Sequence, residues 1–397
     1  MVFSSIVKGK ADLNDEILSE NFYHTVNLFI QLLGAEQVSK TDMFFRISRA
    51  AIGSYVDYSE IQRILARITS FDRWYDAWKT SAVRFSEIAE AAEAAGHLVT
   101  AGENYLRAGL LYHFGQLFTR PEDANRSEGQ RKRVFYYRKA CPYLNPPIEP
   151  VDILFEGYTL PAYLCLPTGV KTPPIVLMIP GANSVKEELH HWGQKFIERG
   201  LATLVFDGPG QGERSLRNGG VPLHLETFHH SVSAALDYLE NRTDVDAKRR
   251  VCWGQSTGGQ LAMRAAAHDH RIKLAVSLGG GYDFRLEIKP TTPADVWEEA
   301  RDLYGLSSFI EAEAYVKQYG SMQGIIEKVR CPLLIVHGGR DNIVAMEEVE
   351  KLKKEAGGPV TTSIYEDGNH SVCNRNLEMS AAMADWVVDQ LVALDKS

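Results

Sequence analysis

The 397-residue chain has no stretch apolar for long enough to span a bilayer, and no Cys/His group with the spacing of a zinc site. Its N-terminus lacks the basic region, apolar run and small-residue cleavage site of a secretory leader, so none is expected. Cysteine is scarce: Cys141, Cys165, Cys252, Cys331 and Cys373 are scattered and odd in number. That suits reduced, buried thiols and a cytoplasmic location better than a disulfide framework. Basic residues are outnumbered, 43 Lys and Arg against 51 Asp and Glu. The formal charge of −8 argues against nucleic acid or an anionic membrane as a partner. "RSEGQRKRVFYYR", Arg126 to Arg138, is a local exception, but glutamate and aromatics interrupt it, so a solvated helix face is expected. His190-His191 and His229-His230 are expected at helix surfaces, because adjacent helical residues point apart. No cofactor and no metal is implied.

What is present is length enough for two structural units and 45% hydrophobic residues to fill their cores. The chain changes character near Pro146-Pro147. Residues 1–148 carry helical periodicity and almost no strand signal. Val83, Ile88, Ala92 and Ala95 recur at helical spacing up to Gly96, a residue able to end a helix in the left-handed conformation. A second helix is expected from about Thr100 to Phe118, with Tyr105, Leu106, Leu110 and Phe114 as its apolar stripe. The aromatics of "DMFFRISRAAIGSY" and "FDRWYDAWKTSA", among them Phe44, Phe45 and Trp74, read as helix-packing core or as the wall of an apolar pocket. From 149 to 397 strands and helices alternate. "VDILFEG" and "TLPAYLCLP" flank a Gly157-Tyr158 turn and predict an antiparallel hairpin. The continuous apolar runs that follow predict a mostly parallel sheet covered on both faces, an α/β architecture. Helical patterns at about 284–327 predict a lid inserted between two strands.

Chemistry first surfaces in "WGQSTGGQL", residues 253–261. The string Gly254-Gln255-Ser256-Thr257-Gly258 is weak alone, but it follows an apolar strand and opens a strong helix. That is the setting of a nucleophile elbow, in which a serine sits on a strained strand-to-helix turn. A serine hydroxyl needs a base, and the base needs an orienting acid. Asp341 directly follows a long apolar strand in "HGGRDNIV", and His370 directly follows the next one in "YEDGNHS". His337 and Asp367 are rivals, the first inside a strand end and the second too near His370. The oxyanion donors expected are the backbone N–H groups of Thr257 and, from "PGANS", Ala182.

From about residue 150 onward these motifs resemble an α/β-hydrolase. With the helical N-terminal domain, "EGYTLPAYLCLP", "DGPGQGE" and "GQSTGG", the chain resembles a narrower group. That group holds 2,6-dihydroxypseudooxynicotine hydrolase and the fungal pigment-pathway hydrolases that shorten polyketides. The resemblance implies a helical cap that covers the site and contributes to a homodimer. It also implies cleavage of a carbon–carbon bond beside a ketone on an aromatic or polyketide-like small molecule. Glu287, in "GGGYDFRLEIKP", falls where the group places an extra pocket carboxylate; such a residue could move the proton of a ketone tautomer, or could be a lid glutamate paired with Arg285 or Lys289. "DGPGQGE" is expected to shape the floor near the oxyanion hole. Carboxylic ester hydrolysis is the alternative reaction, and an acyl transferase or cyclase on the same scaffold is a further one.

Overall fold

The computed structural model describes residues 15–38, 49–52, 55–117, 119, 123–283 and 300–396. Glu287, Phe44 and Phe45 lie outside the described residues, as does the first part of the expected lid.

The N-terminal part is helical: α1 Asp15–Leu33, α2 Tyr58–Arg67, α3 Trp74–Ala94, α4 Leu98–Gln116 and α5 Ala124–Ala140. Asp57 starts α2 by accepting from the N–H of Glu60, a side-chain cap on an otherwise orphaned donor. Gly96, at φ +77°, turns the chain from α3 into α4. The stripe expected on α4 is buried as read, but of that on α3 only Ala92 is. Ile88 is 39% exposed, Ala95 is exposed and Val83 half-buried. The face that packs is Trp74, Trp78, Ala82, Ala89 and Ala92. The physical reason is close helix approach, which favours small residues over large aliphatics: a Cβ on Gly115 of α4 would come within 2.8 Å of the Trp78 Cβ. Trp74 stacks obliquely with Phe71 and Trp78 inside this helical core, so it packs helices.

The strands β1 Ile148–Phe155, β2 Tyr158–Cys165, β3 Pro174–Ile179, β4 Ala202–Phe206, β5 Asp246–Gln255, β6 Leu274–Leu278, β7 Leu333–Gly338 and β8 Val360–Tyr365 form one sheet. Their order is β1-β2-β4-β3-β5-β6-β7-β8. The hairpin is antiparallel, with Phe155 opposite Tyr158. Its turn therefore falls on Glu156 and Gly157, both at positive φ, one residue earlier than the sequence suggested. β2 meets β4 antiparallel, and every later pairing is parallel. Alternate residues of β3 serve opposite cores. Ile175, Leu177 and Ile179 face α7 His229–Glu240 and α8 Thr257–His268, while Val176 and Met178 face α6 His190–Ile197 and the C-terminal helix Asn376–Leu394. Part of the expected lid is seen as α9 Phe309–Tyr319, capped by Ser308, whose side chain accepts from the N–H of Glu311.

Two surface expectations fail. His190 and His191 are buried: Tyr137 Oη lies 2.9 Å from His190 Nδ1, and Asn376 Nδ2 2.8 Å from His191 Nε2. α6 is short and covered by neighbours on more than one side, so adjacent residues can both be enclosed. Burial holds both imidazoles down at about 4. His230 is exposed and His229 half-buried, with its ring stacked on His268. The basic stretch is mostly a solvated face, but Arg133 is fully buried because α5 packs its middle turn against the loop after β3. The cysteines are free thiols, four buried and Cys331 partly so. Among the described residues no helix is long and apolar enough to cross a membrane.

Candidate active site

Ser256 stands between the end of β5 and the start of α8 at φ 54°, ψ −122°, a conformation that a non-glycine residue holds only when its surroundings impose it. The flanking glycines show what imposes it. A Cβ on Gly254 would come 1.9 Å from the Gly258 carbonyl oxygen, and one on Gly258 would come 2.2 Å from the Ile179 oxygen. The turn therefore closes only with bare Cα atoms on both sides. Gly258→Ala is expected to cost about 3 kcal/mol or more of unfolding free energy, at the upper end of overpacking effects. Urea denaturation would read it, and a variant within 1 kcal/mol of the parent would contradict this account of the elbow.

The loops that follow β7 and β8 bring the two partners to this serine. His370 Nε2 lies 2.8 Å from Ser256 Oγ, and His370 Nδ1 lies 2.8 Å from Asp341 Oδ2. Asp341 is fixed in turn: its Oδ1 accepts from the backbone N–H groups of Ile343 and Val344 at 2.8 and 3.0 Å. Burial alone would raise the Asp341 carboxyl. The hydrogen bond and charge of His370, with the two backbone donors, outweigh burial and hold it below the usual carboxylate range. The charged form is thus the one that faces the imidazole. Ser371 and Val372, directly after the histidine, both sit at positive φ. They fold back against Gly279, where an added Cβ would lie 3.0–3.2 Å from Ser371 atoms.

The rivals fall outside this Ser256-His370-Asp341 arrangement. His337 is buried, with Nε2 3.1 Å from the Val344 oxygen and Nδ1 3.9 Å from Asp341 Oδ2. Burial, opposed by Asp341, keeps it below its ordinary pKa, so it packs neutral behind the Asp loop. Asp367 is half exposed and paired with Arg375. Ala182 and Thr257 flank the serine: Gly181 approaches so closely that a Cβ there would be 3.3 Å from the Ser256 Cβ. Thr257 opens α8, whose N-terminal dipole favours negative charge at this point.

The "DGPGQGE" loop lies under this corner. Gln211 Nε2 donates to the Pro180 oxygen at 2.6 Å. Asp207 accepts from the backbone N–H of Lys186 at 3.0 Å and from Lys186 Nζ at 2.9 Å. Sequence reading missed what sits above it. Lys186, Glu187 and Glu188, three consecutive charged residues after β3, are all buried. Lys186 Nζ contacts Asp207, Glu187 and Glu213 at 2.9, 2.9 and 2.6 Å. Glu187 faces Arg133 and accepts from Tyr163 Oη. Glu188 is clasped by Arg49, by His113 Nε2 at 3.0 Å and by Ser184 Oγ at 2.8 Å. Nothing in "KEELHHW", residues 186–192, signals this burial, since three charges and two histidines in seven residues read as a solvated surface.

Two family models match the chain: Esterase FrsA-like over residues 14–286 and the Prolyl oligopeptidase family over residues 188–393. The chain is 29% identical over 323 residues to 2,6-dihydropseudooxynicotine hydrolase of Paenarthrobacter nicotinovorans, covering 81% of this chain and 85% of that protein. It is 27% identical over 307 residues to 20-hydroxy-prefusarin hydrolase of Gibberella moniliformis, covering 66% and 73%. A crystal structure of 2,6-dihydroxy-pseudo-oxynicotine hydrolase superposes with a TM-score of 0.79 at 29% identity, over 87% of this chain and 96% of that one.

Proposed function

This chain belongs to the α/β-hydrolases, through the Esterase FrsA-like and Prolyl oligopeptidase families, and on that premise we propose that it cleaves a carbon–carbon bond beside a ketone with a Ser256-His370-Asp341 triad. The observation that carries the reading is the imidazole of His370, hydrogen-bonded at 2.8 Å to the serine on one side and to the aspartate on the other. Nδ1–H donates to Asp341, which leaves Nε2 with the lone pair that takes the serine proton. Ser256 Oγ adds to the carbonyl carbon, and the oxygen collects charge between the N–H groups of Ala182 and Thr257. The bond to the neighbouring carbon breaks, and its electron pair becomes the enolate of the adjacent ketone, which a proton then quenches. Water, activated by His370, releases the acyl group from Ser256 as an acid.

In this reading residues 1–148 form a helical cap and dimerisation domain, and 149–397 form the catalytic domain with its lid at about 284–327. Glu287 is the lid carboxylate that moves the tautomer proton. Incubation of 1-phenylbutane-1,3-dione with the protein in ¹⁸O-water is the test. One solvent oxygen is expected in the acid product, and a cyclised or transferred product without it removes the hydrolytic reading. In the same assay Glu287→Gln is expected to slow diketone cleavage about 100-fold, the size of a general acid–base contribution, with p-nitrophenyl acetate hydrolysis unchanged. Equal losses on both substrates would contradict the shuttle and favour ester hydrolysis.

A further inference from the structure

A cavity of about 70 Å³ lies between the helical part and the loops after β3 and β4, with room for several ligand atoms. Ala182 lines it, so it opens one residue from the corner where Gly181 meets Ser256. Arg133 of α5 lines it as well. The Arg133 side chain is 1% exposed, and its Nε lies 3.1 Å from Glu187 Oε2. Nε meets Glu187 as an ion pair without hydrogen-bond geometry, and Nη1 and Nη2, both buried, have no hydrogen-bond partner; the same holds for the Oε1 of Gln116 on the cavity wall. Buried donors without acceptors are costly and rare, and a guanidinium left with two of them beside a cavity is equipped to receive a ligand atom.

Charge decides the kind of atom. Around Arg133 the cations Lys186 and Arg138 stand with the carboxylates Glu187, Asp207 and Glu213, so the group is already balanced. Arg126 and Asp302 line the cavity with opposite signs. Among the described residues the two signs are matched here, so an anion would add a charge to a balanced group. Acceptors are what Arg133 lacks. We propose that Arg133 determines specificity by donating to a neutral carbonyl oxygen (ketone, lactone or amide) that the substrate carries a few atoms from the bond under attack. The proposal rests on the serine-hydrolase reading above and adds the second point at which the substrate is held.

Binding to the full-length Ser256→Ala protein, measured by isothermal titration calorimetry, tests it. The probes are 1-phenylbutane-1,3-dione, 1-phenylpentane-1,4-dione and 1-phenylhexane-1,5-dione, each against the phenyl alkyl ketone of equal chain length, with 4-oxo-4-phenylbutanoate as the anionic member. At least one diketone is expected to bind about tenfold tighter than its monoketone, the effect of one hydrogen bond to a charged donor. Adding Arg133→Met should bring that ratio to about one while monoketone affinity stays within twofold. Arg133→Lys keeps a cation against Glu187 but loses the planar fork, so it should also cut the ratio, and it decides the matter if the Met variant does not fold. A ratio near one in the parent, undetectable binding of every probe, a ratio that survives in the Lys variant, or tighter binding of the carboxylate would each overturn the proposal. Fluorophosphonate labelling of Ser256 in the unmodified protein reports separately on the serine-hydrolase reading.

Discussion

Ser256→Ala is expected to lower turnover of the substrate by about 10⁴-fold or more, because in the proposed mechanism removing the nucleophile leaves only the oxyanion donors and binding to accelerate the reaction. The fold should be unaffected. Ser256 takes its conformation from Gly254, Gly258 and the β3 carbonyls rather than from its own hydroxyl, and the backbone bonds Ser256 N–H to the Leu278 oxygen and Gly259 N–H to the Ser256 oxygen remain. Steady-state kinetics with the diketone, alongside a thermal melt, would show both. Retention of more than a few per cent of the activity would eliminate a covalent mechanism through this residue. Asp341→Asn should show a loss of similar order, since the amide presents a donor where the imidazole Nδ1–H needs an acceptor.

Lys186→Met is expected to destabilise the protein by about 3–5 kcal/mol, the cost of leaving buried charges without their partner. Lys186 is fully buried among Asp207, Glu187 and Glu213. Burial would lower its pKa, and these carboxylates more than reverse that, so it is charged at every working pH. Urea denaturation at neutral pH is the measurement. A loss under 1 kcal/mol would show that the carboxylates find other partners or take up protons cheaply. The neighbouring Glu188 gives the same region an acid sensitivity. Burial would raise its pKa, but Arg49 and His113 hold it down at about 2 against an ordinary 4.5. Its contribution is therefore present above 4.5 and lost as the pH falls through about 2.

The catalytic half was legible because its signals are local and ordered. Apolar runs marked the buried parallel strands, and Ser256, Asp341 and His370 each fell at the end of one. Three loops on one edge of a parallel sheet have to converge, so order and placement stood in for distance. The buried charges were not legible, since a lysine followed by two glutamates has the composition of a solvated surface. What encloses them is Arg49, His113 and Arg133, between 53 and 139 residues away in sequence. The helical stripe on α3 was misread for a related reason. Large aliphatics were taken as the buried face, whereas the approach of α3 to α4 is set by Ala82, Ala89 and Gly115.

The charges at this seam also bear on how such proteins can be recombined. Glu187 and Glu188 belong to the loop that carries the candidate oxyanion donor; Lys186 of the same loop pairs with Glu187, but the further cation on Glu187, Arg133, and the one on Glu188, Arg49, come from the helical part. A cap from another family member, grafted for a new pocket, would leave Glu188 without its cation and Glu187 with Lys186 alone unless it brought equivalents of Arg49, His113 and Arg133. Those three positions make up a compatibility code between cap and core. Chimaeras that match it should fold where chimaeras chosen on overall similarity fail.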